Sequence, residues 1–401
     1  MREPIFVVLT SIEFSAGGGT YLTFHLYRAL LELGFRTTIV ITPDYNACKL
    51  YRAVKIMEFE CEPRTKFIQP RSTTLGYFND RLPKTLRTFF YDKELINFIM
   101  KVKSKCRGRD IIVVYSGIFL LKGIDIAYIH YPATLALNME PDTLNLIGTL
   151  YKGFIRYLEK NMMNNPYAIL TNSSWTATKI RELYPNVSSP IHILYPPINL
   201  KPYLALWSNT NRKNYVVTIA AFSPAKKLEF IVNLARRTSK YKFIVIGSLS
   251  DYHYFNYIKK LLSKHNVSNV VLLPNAPKSL IRKILRRSRY YVHPPLAEHF
   301  GIAVAEACAS GLIPIVYRDG GAWTDIVSNI SNALGYKDLE EILQIMDTID
   351  KDSSLYEELR QKSKSVAMRF SYERFKQNLH YIVNETIRRK MKHGDCVKVR
   401  E

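Results

Sequence analysis

The chain predicts an α/β protein of two parallel-sheet domains facing across a cleft, and three observations carry that expectation. Two long blocks each alternate β-branched or aromatic runs with runs of helical period, the pattern of parallel strands joined by helices. At 401 residues the chain is too long for one core and suits two domains of ordinary size. Hydrophobic residues make up 47% of it, which excludes a disordered chain.

In the first block Ile5–Leu9 reads as a strand, Thr20–Leu33 as a helix closed by Gly34, and Thr37–Ile41 as a second strand. Strands follow at Ile111–Tyr115, Ile126–His130 and Ala168–Thr171, with a long helix around Leu144–Asn161 and a short one opened by Asn172-Ser173-Ser174. Tyr195-Pro196-Pro197 closes the block, because consecutive prolines continue neither a ladder nor a helix. The second block is more regular. Strands Tyr215–Ala220, Phe243–Ile246, Val270–Leu273, Tyr290–His293 and Ile313–Val316 alternate with helices near Leu228–Arg237, Phe255–His265, Ser279–Arg287 and Gly301–Ser310. After Gly335 the sequence reads as helix: Leu339–Met346, Leu355–Arg369 and an amphipathic run from Tyr372 to about Lys390. Both blocks read as Rossmann-like domains, residues 1–197 and 198–368. Residues 369–401 form a last helix expected to cross back to the first domain.

The net charge of +23 calls for anionic partners: nucleic acid, acidic lipid or a phosphorylated substrate. Much of it lies in Lys49–Arg109, with 15 basic and 6 acidic residues and interleaved Phe67, Tyr77, Phe78, Phe89, Phe90 and Tyr91. No nucleic-acid-binding signature accompanies that segment, so nucleic acid is not expected as a partner and an anionic membrane surface is. No apolar run approaches the ~20 residues that span a bilayer. Arg2 is offset by Glu3 ahead of the first strand, which argues against a signal peptide and for a cytosolic protein. Five scattered cysteines, with no Cys-x-x-Cys pair, predict thiols in a reducing compartment.

Gly17-Gly18-Gly19 follows the first strand and opens the first helix, where a close backbone approach and free amides favour an anion. The dinucleotide fingerprint of three spaced glycines is not met, which disfavours a nicotinamide-dependent oxidoreductase. The decisive segment runs from His293 to Ala307. A strand ends at His293, a loop presents Glu298, and a helix starting near Gly301 carries Glu306 about two turns in. Helix-start amides between two carboxylates suit a diphosphate flanked by two polyols, and such a ligand is a nucleotide sugar.

Here the chain resembles the retaining family 4 glycosyltransferases, whose GT-B architecture is the pair of domains read above. The resemblance rests on Glu298-His299-Phe300-Gly301-Ile302, Glu306-Ala307, Gly311, Pro314 and Asp319-Gly320-Gly321. Tyr128-Ile129-His130-Tyr131-Pro132, Thr171-Asn172-Ser173-Ser174-Trp175-Thr176 and Tyr195-Pro196-Pro197 look most like the branch that extends dolichol-linked oligosaccharide with α1,2-mannose. The resemblance implies that Glu298 binds donor-sugar hydroxyls and Glu306 the ribose. The amides of Phe300, Gly301 and Ile302, beside His299, would hold the diphosphate. Gly17, Gly18 and Gly19 would border the reaction centre, and His130 would touch the donor sugar. Lys226 would neutralise the donor phosphates; five residues before it the family's arginine is replaced by Ala221. It implies further a GDP-mannose donor, a polyprenyl-linked acceptor, and neither metal nor cofactor.

Asp350-Lys351-Asp352 matches the Asp-x-Asp pattern of metal-dependent transferases, but its place between two helices predicts N-capping. The basic run Arg282, Lys283, Arg286, Arg287 and Arg289 reads as a solvated helix face. Two other classes share the scaffold: a sugar-nucleotide epimerase, and a non-catalytic protein that binds nucleic acid or membrane.

Overall fold

A computed structural model describes residues 5–10, 18–40, 67–68, 95–104 (without 96 and 102), 111–117, 123–135, 146–164, 166–207, 211–294 and 297–392. Contacts divide the chain into two units, Met1–Tyr195 with Phe375–Glu401, and Pro196–Arg374.

Unit 1 is built on a parallel sheet of β1 (Ile5–Thr10), β2 (Arg36–Val40), β3 (Phe67–Ile68), β4 (Ile111–Gly117), β5 (Ile126–Ile129), β6 (Ala168–Thr171) and β7 (Ile191–Ile193). Their order is β3-β2-β1-β4-β5-β6-β7. Central strands of a parallel sheet are covered on both faces, and β5 and β6 are accordingly buried at every position. Helix α1 (Gly18–Glu32) ends at Gly34, whose φ of 88° is the left-handed conformation glycine accepts most readily. There the Phe35 amide reaches Leu30 O and the Gly34 amide Leu31 O, the Schellman arrangement. Helix α2 spans Leu146–Met162. Helix α3 spans Ser174–Leu183 and is capped by the Ser173 hydroxyl, which accepts from the Thr176 amide.

Unit 2 repeats the plan. Its sheet holds β8 (Lys213–Ile219), β9 (Lys242–Gly247), β10 (Val270–Pro274), β11 (Ser288–Val292), β12 (Ile313–Tyr317) and β13 (Gly335–Tyr336), in the order β10-β9-β8-β11-β12-β13. Both orders are the doubly wound 3-2-1-4-5-6 pattern, with a seventh strand in unit 1. The helices are α4 (Lys201–Leu204), α5 (Glu229–Ala235), α6 (Tyr252–Lys264), α7 (Lys278–Arg287), α8 (Ile302–Ala309), α9 (Leu339–Lys351) and α10 (Ser353–Ala367). The last helix, α11, spans Tyr372–Lys392.

Three details differ from the sequence reading. Gly335-Tyr336 is a strand, paired in parallel with Val316-Tyr317, because Tyr336 is fully buried at the sheet edge. Unit 2 runs past residue 368 to Arg374, since the Ile198 amide binds Phe370 O and Ile198 bridges Ser371. The Asp350–Asp352 pattern splits in two. Asp352 caps α10, accepting from the Ser354 and Leu355 amides. Asp350 is no cap: it accepts from the Tyr241 and Tyr290 hydroxyls and ion-pairs with Lys240 and Arg289. Arg289 therefore leaves the solvated basic run and serves the core of unit 2. Most of Lys49–Arg109, with the side chains of Phe67, Tyr77, Phe78, Phe89, Phe90 and Tyr91, lies outside the described residues.

Candidate active site

A doubly wound sheet binds ligands beyond the carboxyl ends of its strands, where the strand order reverses. In unit 2 that point lies between β8 and β11. The chain leaving β8 carries Lys226, the chain leaving β11 carries Glu298, and the two side chains meet there, Lys226 Nζ lying 3.1 Å from Glu298 Oε2.

The Glu298 backbone is pinned from the opposite side. Its carbonyl accepts from the Gly321 amide at 2.7 Å, and the residue bridges Gly320. A Cβ on Gly320 would lie 2.6 Å from Glu298 O and 2.7 Å from Glu298 N, so only glycine lets the two strands of chain touch. Asp319-Gly320-Gly321 is thus the backstop of Glu298, with Asp319 accepting from the Gly320 amide. Gly301 turns the chain into α8 at φ 93°. A Cβ there would press on Ala322 and Val304. Phe300 is buried edge-on against Phe370 at 5.1 Å and fixes the loop.

Burial works to raise the Glu298 carboxyl, but the adjacent His293 imidazole and the Lys226 ammonium, with His299 alongside, overcome it and hold it well below the usual carboxylate range. Burial pushes the His299 imidazole below its usual value, against the pull of Glu298 and with the help of Lys226. His293, to which the sequence reading gave no role, has its Nε2 3.5 Å from Glu298 Oε2. Glu306 is the fifth residue of α8, one turn in rather than two, and accepts from the Tyr203 hydroxyl of α4 at 2.8 Å. Tyr203 also escaped the sequence reading, being 103 residues away from Glu306.

In unit 1, Gly18 and Gly19 begin α1, the first helix after β1, and residues 11–17, Gly17 among them, lie outside the described residues. His130 follows β5, its Nε2 3.0 Å from the Ser116 hydroxyl at the end of β4. Asn172 Nδ2 donates to the His130 carbonyl at 3.0 Å, and Asn172 Oδ1 accepts from Thr176 Oγ1 at 2.8 Å. The two sequence segments around His130 and Asn172 therefore form one structure. Beneath them lies Glu159 of α2, 2% exposed. It accepts from the Ala133 amide at 2.8 Å, the Thr134 amide at 2.9 Å, the Thr134 hydroxyl at 2.7 Å and the Tyr184 hydroxyl. Four donors from the turn after His130 and from Tyr184 saturate this carboxylate. Among the described residues no group of three or more His, Cys, Asp or Glu could hold a metal ion.

Solved structures share this architecture. Sucrose-phosphate synthase from Thermosynechococcus elongatus superposes with a TM-score of 0.73 at 14% identity, over 96% of this chain and all of that one. WaaG, a glycosyltransferase of lipopolysaccharide biosynthesis, superposes at 0.65 with 13% identity, over 94% and 99%. The fold is that of the GT-B glycosyltransferases, two Rossmann-like domains. Residues 207–366 match the family Glycosyl transferases group 1.

Among curated relatives are enzymes named GDP-Man:Man(3)GlcNAc(2)-PP-Dol alpha-1,2-mannosyltransferase. The one from Dictyostelium discoideum is 25% identical over 311 residues, 67% of this chain and 61% of its own length. The one from Kluyveromyces lactis is 31% identical over 272 residues, 59% and 47% respectively. The chain thus spans about half to three-fifths of these two relatives. Among the described residues no helix is long and apolar enough to cross a membrane.

Proposed function

We propose that the chain is a retaining hexosyltransferase that moves mannose from GDP-mannose to a polyprenyl-linked glycan. The observation that carries this reading is the Glu298–Lys226 pair at the strand-order reversal of unit 2, beside the start of α8. The names of the relatives support the choice of donor and acceptor.

Glu298 binds hydroxyls of the transferred sugar and Glu306 the ribose. Lys226 and the amides of Phe300, Gly301 and Ile302 take the diphosphate, with His299 alongside. Gly17, Gly18 and Gly19 border the reaction centre, and His130 is assigned to the sugar by family resemblance. The acceptor hydroxyl oxygen bonds to the anomeric carbon as the bond from that carbon to the phosphate oxygen breaks on the same face. The hydroxyl proton passes to the leaving phosphate, so no side-chain base is needed. Lys226 and the helix-start amides stabilise the charge that develops on the leaving group.

The test is mannose transfer from GDP-mannose to a polyprenyl-diphosphate-linked oligosaccharide, with the product's anomeric configuration read by NMR. We expect retention, full activity in EDTA, and a loss of about 10²–10³-fold in Glu298→Gln with GDP affinity kept. Loss of activity in EDTA that magnesium or manganese restores would overturn the metal-free reading. Wild-type transfer by Glu298→Gln would overturn the site.

We place the protein at the cytosolic face of a membrane, held reversibly by the basic, aromatic-rich segment Lys49–Arg109. Co-sedimentation with vesicles should require anionic lipid and fall as salt rises. Equal binding to neutral vesicles, or none to either, would remove the membrane and leave a soluble acceptor.

A further inference from the structure

His293 is the first residue beyond β11, and its backbone is held on both sides. Its amide donates to Ile315 O at 3.0 Å, and its carbonyl accepts from the Tyr336 hydroxyl at 2.6 Å. The side chain is 5% exposed, so the ring has little room to turn. Its two nitrogens meet different neighbours. Nδ1 lies 3.4 Å from the Tyr291 hydroxyl, which is itself 3.4 Å from Ile219 O. Nε2 points to Glu298 Oε2 at 3.5 Å, beyond the 2.7–3.2 Å of a well-formed hydrogen bond. It is a buried polar atom with no partner at bonding distance and angle. Such atoms are uncommon in folded proteins, and a functional group that closes onto its partner in another state is one accepted reason for them.

Burial pushes the Tyr291 hydroxyl far above its usual value, so it keeps its proton. It lies equally far, 3.4 Å, from Ile219 O and from Nδ1, and its single proton serves one of them at a time. An ionised Glu298 only accepts, so a ring that bonds it carries its proton on Nε2, with the Tyr291 hydroxyl then turned from Ile219 O to donate to Nδ1; which nitrogen is protonated follows from the bond the other one makes. Lys226 approaches the same carboxylate oxygen, Oε2. Among the described residues none donates to Oε1. A cation that must also serve a diphosphate cannot hold Oε2 throughout turnover, whereas a ring locked in the sheet can.

We propose that His293 is a positioning residue for Glu298: it donates Nε2–H to Oε2 once Lys226 turns to the donor diphosphate, fixing the carboxylate with Oε1 presented to a sugar hydroxyl. This rests on the nucleotide-sugar reading of the site. Lys226 and His293 then act in turn on one oxygen. Sugar recognition requires the carboxylate to stay aimed after its ion pair has opened, and His293 supplies that aim without contacting the substrate. GDP, which lacks the sugar, does not sense it.

The experiment compares wild type, Glu298→Gln, His293→Leu, His293→Gln and the double variant Glu298→Gln/His293→Leu. Transfer kinetics are measured with GDP-mannose, and GDP affinity by calorimetric titration. His293→Leu should lower kcat/KM about 10–100-fold with GDP affinity unchanged, the loss expected when a positioning contact is removed. His293→Gln should recover most of that, since its amide nitrogen reaches the place of Nε2. The double variant should be no worse than Glu298→Gln alone, because both changes remove one interaction. Wild-type transfer by His293→Leu, beside a crippled Glu298→Gln, would overturn the proposal while leaving the site reading intact. So would losses that multiply in the double variant. A wild-type rate in Glu298→Gln would sink the site reading and the proposal together. Should His293→Leu also lose GDP affinity, its fold is damaged and His293→Gln decides: near-normal transfer upholds the proposal, and a loss equal to that of His293→Leu overturns it.

Discussion

Glu159 in unit 1 and Glu298 in unit 2 each sit against a turn that follows a parallel strand, yet they are partnered in opposite ways. Glu159 takes two backbone amides and two hydroxyls across both its oxygens and is 2% exposed. Glu298 takes Lys226 and His293 on one oxygen and keeps 24% of its side chain exposed. The first carboxylate has every acceptor position used by groups that cannot leave; it is scaffold. The second is held by side chains that can exchange partners, and it has an oxygen to offer. Saturation, more than burial or charge, separates the carboxylate that builds a loop from the one that meets a ligand.

The sharpest way to break this contrast is to remove each in turn. Glu159→Ala strands four donors in the interior and should destabilise unit 1 by about 3 kcal/mol, the cost of unsatisfied buried polar groups. Glu298→Ala should cost less than about 1 kcal/mol, because Lys226 and the exposed face return to water. Denaturant titration of both variants measures this, and equal losses would erase the distinction.

A smaller effect tests how Glu298 is held. Its folded carboxyl lies below its ordinary value of 4.5, so the stability it contributes is complete above that value and is lost as pH falls through the folded one. Lys226→Met removes one charge that depresses it, which moves the folded value up and starts the acid loss at a higher pH. At neutral pH the variant should lose only about 0.5 kcal/mol, as befits a partly exposed pair. Acid unfolding of both forms, followed by circular dichroism, reads the shift. An unchanged acid limb would mean that the two histidines, His293 and His299, set the carboxyl without Lys226.

The sequence made the alternation of strands and helices legible in both units, because a buried parallel strand is a short apolar run and a helix keeps its period for ten residues or more. It was less legible where an element is short or its start depends on a cap. Helix α6 begins at Tyr252, three residues before the apolar pattern suggests, because Asp251 caps it through the Tyr254 amide. The glutamates of the candidate site were readable from their spacing and setting. Their holders were not. His293 lies next to a strand end that looks like any other until Glu298 folds back on it. Asp350 looked like a cap because its partners Tyr241, Tyr290, Lys240 and Arg289 are 60 or more positions distant. Glu159 stood 25 residues from the turn it supports, in a helix otherwise read only by its period. Local pattern reports what an element is, and long-range pairing decides what a polar residue in it does.

One contact in unit 1 bears on how the chain is made. Lys390 of α11, its side chain 5% exposed, donates to Ile111 O at 3.0 Å and to Asp125 at 2.8 Å, across 265 positions of sequence. Asp125 also accepts from Lys103 and the Val113 amide, so this buried ionic cluster at the strand β4 edge is incomplete until the residues near 390 have left the ribosome. Unit 2, by contrast, is one uninterrupted stretch and can close while synthesis continues. The unit translated first is thus completed last, its Asp125 held by Lys103 and the Val113 amide until Lys390 arrives to take the other carboxylate oxygen.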